Sequence, residues 1–505
     1  MQQPTSERQG TARQLDLRPP RRSWRMVATL GTTLLAAAMA AGCAATTASL
    51  GNPGIAMPEG WQGTSAVAGV TTVAHPEDLS TWWLRFGDET LSGLITRALD
   101  ANLDLQSARS RLRQARAQRS LAGKDYLPDV SGSVSASTSS ASGEGATGSD
   151  RNLYSAGFDA SWEPDVFGST RNAVRAAQAE LEATQASLED TRVSLVAEVA
   201  LDYVNLRAAQ ARRQIAEDNL RQQSETLDLT SWRAQAGLVS DVDVQQARAN
   251  VEQTRAQLPL LETSIAESEH SLAILVGEAP AALHDMLAQP GPIPAVPASV
   301  VVGVPADTVR QRPDVRAAER RVAAEAARLG QAKAALFPSL RLSGSLGIQG
   351  LTLGGLTSAE TVTRSFLAGL TAPLFDRGRL HRQIDIQSET RQQALLSYKS
   401  AVLGALQEVE NALVSLGNDE RRRGSLAEAA DAARSAAQLA RDQYTAGLTS
   451  YQTVLDTERT VLSVEDNLTS SQAQCTSDLI RLYKAVGGGW TPTPTDAGRP
   501  QSEES

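Results

Sequence analysis

The chain is written twice. Pro128 and Pro338, Gly168 and Gly378, and the phrases Ala236-Gly237-Leu238-Val239-Ser240 and Ala446-Gly447-Leu448-Thr449-Ser450 all stand about 210 positions apart. Between these landmarks Asp104, Ala108, Arg111, Ala122, Glu198 and Leu206 meet Asp314, Ala318, Arg321, Ala332, Glu408 and Leu416 at the same offset. An offset that survives so long a span requires both copies to share one shape under one geometric constraint. Each copy reads as helix, strand, loop, strand, very long helix, turn and returning helix.

The long helix sets the scale. Residues 170–236 contain neither Gly nor Pro, and the equivalent stretch 379–446 lacks Pro. Some ~65 helical residues rise about 100 Å, a rod that no compact domain holds. Leu181, Leu188, Val193, Val196, Val199, Tyr203 and Leu206 recur at the drifting three-to-four spacing of coiled packing. Gly237 and Gly447 end the rods, and Ser240 and Ser450 are placed to cap the helices that return over 241–276 and 451–486. Pro259 is expected to kink the first return. A helix over 91–124 precedes the strands of the first copy and ends at Pro128.

The strand segments alternate. Tyr154, Ala156, Phe158, Ala160 and Trp162 share one face, with Ser155, Gly157, Asp159 and Ser161 on the other. In the second copy Leu340, Leu342, Leu346 and Ile348 alternate with Arg341, Ser343, Ser345 and Gly347, and Phe366, Ala368 and Leu370 with Leu367, Gly369 and Thr371. Such segments suit membrane-crossing strands with one lipid and one lumen face, with Tyr154, Trp162, Phe366 and Phe375 near an interfacial girdle. A hairpin on a soluble domain is the other reading.

The start of the chain points to export. Arg18, Arg21, Arg22 and Arg25 precede the apolar run 26–41, which ends in Ala40-Ala41-Gly42-Cys43. The pattern is similar to a bacterial lipobox in which Cys43 becomes the lipidated first residue, although Ala40 stands where Leu is usual; an ordinary cleaved signal beside an incidental Cys is the alternative. Cys475 reads as a small buried residue. Aromatics make up 4% and the net charge is −9 with both signs interspersed, so no basic stripe marks a nucleic-acid binder. His75, His270, His284 and His381 have no metal-ligand spacing, no cofactor motif is present, and no G-x-S-x-G, Walker A, H-E-x-x-H or C-x-x-C suggests an enzyme.

Four strands cannot close a barrel, and an open edge cannot face lipid. Three chains would supply twelve strands over a hollow helical cylinder about 100 Å deep. The expected fold is therefore mainly α with a membrane β-barrel part: a duplicated strand pair plus long helical hairpin, in a homotrimer with a 12-stranded barrel on an α-helical periplasmic tunnel.

Three phrases carry a family resemblance: Arg312-Pro313-Asp314-Val315 with Ala318-Glu319; Asp243-Val244-Gln245 after the first tip, with Ala247-Arg248-Ala249; and Leu482-Tyr483-Lys484-Ala485-Val486-Gly487-Gly488-Gly489-Trp490. Together with the duplication, they resemble the outer membrane efflux proteins, the TolC/OprM family, and its NodT-type lipoprotein branch. The resemblance implies a trimeric, passive exit duct in the cell outer membrane, lipid-anchored, with its helical part in the periplasm. An inner-membrane transporter of the RND type would engage it through a periplasmic adaptor (a membrane fusion protein). It implies a gate at the tips. Asp456 matches the aperture carboxylate, and Thr453 replaces a second acid found in some relatives. Asp243 and Tyr444 match an inter-helix hydrogen-bonding pair that holds the closed state, while Thr449 stands where the family has an Arg partner. Gly237, Leu238, Ser240, Gly447, Leu448 and Ser450 match the surface that adaptor hairpins touch; a plain helix cap is the bland reading of each glycine.

The expected organisation is a signal peptide at 1–42, a lipid-anchored segment at 43–90, and a first repeat at 91–276 with strands near 128–140 and 152–164 and a hairpin at 168–276. A linker or equatorial segment occupies 277–305. The second repeat spans 306–486 with strands near 338–350 and 362–375 and a hairpin at 378–486, before a tail at 487–505. Two alternative functions are a periplasmic adaptor, which would carry one hairpin without duplicated strands, and a structural coiled-coil lipoprotein, which leaves the alternating segments unexplained.

Overall fold

The computed structural model describes residues 57–66, 70–73, 79–139, 151–297, 300–357 and 362–490. The signal segment, Ala40, Cys43, His75 and the tail beyond 490 lie outside the described residues. The chain divides after Gly51, and every described element belongs to the unit Asn52–Ser505.

Two helices of 67 residues each dominate: α3 (Ser169–Gln235) and α9 (Arg379–Thr445). Each starts after a left-handed glycine, with an aspartate of the preceding turn on its first amides. Asp165 accepts from Thr170 and Arg171, and Asp376 from Gly378 and Leu380. Toward the sheet, α2 (Leu103–Lys124), α3, α8 (Pro313–Ala334) and α9 lie side by side. Toward the tips, α4 (Asp241–Arg255) packs on α3, and α10 (Tyr451–Ala485) on both α9 and α3.

The helix expected over 91–124 is two, α1 (Glu89–Ala101) and α2. Asn102 turns the backbone to φ −58°, ψ 132°, accepts from Leu105 N at 2.9 Å and donates to Leu275 O at 3.0 Å. One side chain thus caps α2 and pins the elbow to α5 (Leu258–Leu275). The first return is likewise two helices, α4 and α5, because Pro259 in the first turn of α5 cannot supply an amide hydrogen to continue the ladder.

Strands β2 (Asp129–Ser139), β3 (Arg151–Trp162), β5 (Ser339–Gly350) and β6 (Val362–Thr371) form one antiparallel sheet in the order β2-β3-β5-β6. Register partners Phe158–Leu346, Trp162–Leu342, Gly344–Phe366 and Leu340–Leu370 gather most of the large apolar side chains on one face, with Arg364 opposite Leu346 among them. The opposite face is serine-rich, with Ser135 and Ser155 hydroxyls 2.7 Å apart and Ser345 and Ser365 2.6 Å apart. At the β3–β5 contact Gly157 faces Gly347, and a Cβ on Gly157 would stand 2.9 Å from the Gly347 Cα. Among the described residues β2 and β6 each pair on one side, so both outer edges are open.

The segment 277–305, expected as linker, holds a short helix α6 (His284–Leu287) and β4 (Val300–Gly303), and helix α7 (Pro305–Gln311) starts at its end. Strand β4 pairs in parallel with β1 (Val70–Val73), Val70 opposite Val300. Nearby, the Glu410 carboxylate of α9 accepts the amides of Gln62 and Gly63 at 2.8 Å, and Trp61 Nε1 donates to Gly303 O at 2.7 Å. The main apolar core lies around Trp82, Tyr203, Leu206, Leu413 and Tyr483, with Trp82 and Tyr483 rings 5.2 Å apart. No helix among the described residues is long and apolar enough to cross a membrane.

Candidate gate and tip surface

Both rods end in the same turn. Gly237 and Gly447 take φ +72° and +75°, a region that costs a side-chained residue energy. Leu238 N donates to Arg233 O and Leu448 N to Gln443 O, each at 2.8 Å, the paired Schellman closure of a helix C-terminus. The turns leave Leu238 67% and Leu448 78% exposed, with Gly237, Ser240, Gly447 and Ser450 also exposed. Two unsupported leucines on polar tips form a surface suited to a partner's apolar contact.

The two turns differ three residues on. In the first, the Asp243 carboxylate accepts from both Ser240 N (3.1 Å) and Ser240 Oγ (3.0 Å), a capping box on α4. In the second, the equivalent position is Thr453, whose hydroxyl accepts from Thr449 Oγ1 at 3.1 Å. Asp456, one turn further along α10, is exposed and accepts from Gln452 Nε2 at 3.0 Å.

Asp243 and Tyr444, paired in the expectation from the resemblance, make their hydrogen bonds elsewhere in this single chain. Asp243 is committed to its own helix cap. The Tyr444 hydroxyl lies 3.2 Å from Thr230 Oγ1 of α3, and its ring packs edge-on against Tyr451 at 6.1 Å. Arg233 supplies the cation absent at Thr449: its guanidinium stacks 4.6 Å over the Tyr444 ring and donates to the Tyr444 carbonyl. Sequence reasoning does not single out Arg233, Thr230 or Tyr451. The stripe read from the sequence stops at Leu206; the signal that could have found them is the four-residue spacing of the polar Thr226 and Thr230 beyond it.

Behind this cluster, Glu458 is buried on α10. Its Oε1 accepts from Thr226 Oγ1 at 2.9 Å and lies 3.4 Å from Arg441 Nη2. Burial lifts its carboxyl above the usual range, against the lowering pull of Thr226 and Arg441. Burial foremost, then the Glu458 charge, lifts the Tyr451 phenol as well. Among the described residues no group of His, Cys, Asp or Glu could hold a metal ion, and the free Cys475 is buried in α10.

Residues 94–278 and 304–488 match the sequence family described as outer membrane efflux protein. The chain is 31% identical over 416 residues to nodulation protein T of Rhizobium leguminosarum bv. viciae, covering 82% of this chain and 85% of that protein. It is 32% identical over 475 residues to the pyoverdine export outer membrane protein OpmQ of Pseudomonas aeruginosa, covering 91% and 96%. Among solved structures, the outer-membrane channel OprN superposes with a TM-score of 0.81 at 34% identity, covering 87% of this chain and 99% of that one. The open-state MtrE outer membrane channel of Neisseria gonorrhoeae gives 0.75 at 27%, covering 87% and 96%.

Proposed function

The chain belongs to the outer membrane efflux protein family, and from that premise we propose how its copies and partners assemble. It is an outer membrane channel, the exit duct of an efflux pump system, with its helical part in the periplasm. Three copies make the pore. The observation that carries this is the sheet whose outer strands β2 and β6 each lack a second neighbour among the described residues. Joining β6 of one copy to β2 of the next satisfies both edges without exposing backbone to lipid. Two copies would close about eight strands, whose bore side chains fill, whereas three leave an open lumen. Leu396, Leu403 and Val414 expose an apolar stripe on α9, available to a neighbouring copy.

The apolar face of the sheet then meets lipid and the serine face lines the lumen. At the other end the tips converge, three Asp456 carboxylates ring the aperture, and Arg233 on Tyr444 holds the hairpins together. The exposed Leu238 and Leu448, with Gly237, Ser240, Gly447 and Ser450, receive a periplasmic adaptor coupled to an inner-membrane transporter of the RND type. Export begins with a signal at 1–42, and Cys43 carries lipid. The relatives are named for different cargoes, pyoverdine for one and toluene for another, as expected where selection lies in the pump. This is a conduit and not a catalyst.

Gel migration of detergent-extracted protein with and without heating tests the assembly. A heat-sensitive trimer that opens channels in planar bilayers is expected. A monomer soluble without detergent overturns it.

A further inference from the structure

The two halves of α3 pack by different chemistry. Between Val193 and Ala209 its buried positions are mostly aliphatic or aromatic, as in Val196, Val199, Val204 and Leu206. From Asn219 toward the tip they are Asn219, Gln223, Thr226 and Thr230, all polar, none more than 5% exposed, at the four-three-four spacing of a coiled-coil seam. Against this seam α10 brings Glu458, 3% exposed.

The seam is only partly satisfied. Glu458 Oε2 has no hydrogen-bond partner, nor do either Oε1 or Nε2 of Gln223, one turn along α3 from Thr226. Asn250 Nδ2 on α4 and Arg441 Nε on α9 are also unpaired. Arg441 is shared, since its Nη2 also donates to Gln222 Oε1 at 2.8 Å. A buried polar layer with open valences favours separation into water far more than an apolar core does.

We propose that Glu458 is a proton-operated latch between the two hairpins. Neutral, it stays buried on Thr226 and keeps α10 against α3; ionised, it favours a hydrated arrangement in which α10 parts from α3 along Gln223, Thr226 and Thr230. The groups facing it are Arg441 from α9, Thr226 from α3 and Tyr451 on its own helix, while Arg459 turns away to Asn250 of α4 at 3.2 Å. Arg441 is the one cation among them, and it touches one carboxylate oxygen. Burial raises the carboxyl's affinity for its proton relative to the hydrated arrangement. Acid therefore holds the latch, and rising pH releases it. The consequence for the pore rests on reading the tips as the gate; the latch itself does not.

Amide hydrogen exchange read by mass spectrometry on the full-length assembled protein tests it. Rates along a pH series from about 4.5 to about 8 are corrected for chemical exchange. Peptides covering 219–232 and 452–462 should lose several-fold protection as pH rises. Glu458→Gln should remain protected throughout. Thr226→Val and Arg441→Gln, which each remove a partner that favours the ionised form, should move the transition to higher pH. A pH response kept by Glu458→Gln, or none in the parent protein, overturns the latch. Bilayer conductance over the same pH range separates the two readings: exchange that responds while conductance does not leaves the latch standing and rejects the tip as gate.

Discussion

The Arg233 guanidinium lies 4.6 Å from the centre of the Tyr444 ring and also donates to the Tyr444 carbonyl. One side chain of α3 thereby grips the last turn of α9 by face and by backbone, immediately above both tips. Thr449, where the family resemblance called for an arginine, reaches no further than Thr453. The cation at this tyrosine comes from the other hairpin, so the contact spans both hairpins.

Replacing Arg233 by Ala should weaken the association of the hairpins by about 1–2 kcal/mol, from the lost stacking and charge-assisted hydrogen bond. Single-channel conductance should rise. Arg233→Lys should recover part of the effect, because an ammonium keeps the charge over the ring but not the planar fork. Conductance identical to the parent in both variants would remove Arg233 from the closure.

Asp456 is exposed, and among the described residues its carboxylate accepts a hydrogen bond from Gln452 on the same helix and from no cation. Asp456→Ala should reduce cation preference, seen as a reversal potential moving toward zero in a salt gradient, and enlarge conductance. Asp456→Glu should retain selectivity. An unshifted reversal potential in the Ala variant would place the aperture charge elsewhere.

Gly157 and Gly347 meet where the two repeats join in the sheet, and a Cβ on Gly157 would fall 2.9 Å from the facing Cα. Gly157→Ala should force β3 and β5 apart at a cost of about 1–3 kcal/mol per chain. The trimer should dissociate at a lower temperature on gels. Gly344→Ala, whose Cβ would find its neighbour at an ordinary 3.5 Å, is the control expected to leave the transition in place.

His284 Nδ1 lies 2.9 Å from the buried Glu269 carboxylate, and that hydrogen bond, then the charge, raises the imidazole above its ordinary value. A raised folded value means that the protonated ring stabilises the fold. That contribution is complete below the unfolded value of about 6.5 and disappears as pH rises through the higher folded value. Thermal melting across that window should show a fall in midpoint with rising pH that His284→Ala diminishes. A variant with the parent's full slope would assign the dependence to another group.

Periodicity exposes the helices and strands because it depends on local repetition: 3.6 residues for α3 and α9, two for β3 and β5. The elbow at Asn102 escapes such a reading because its cap signal sits inside an uninterrupted apolar period, where pattern outweighs capping. The pairing of β1 with β4 joins residues 230 positions apart. No local pattern reports such a partner.

What the sequence by itself determined is the duplication, the length of the rods, the open four-strand unit and the turns at Gly237 and Gly447, all governed by backbone preference and side-chain alternation. Tertiary structure alone decided who touches whom at the tips: Asp243 turned inward to Ser240, Tyr444 given to Arg233 and Thr230, and Glu458 buried on Thr226. These are choices among several polar groups within reach of one another. They depend on how two long helices are rotated and offset, which is set by the summed packing of whole hairpins and not by any short run of residues.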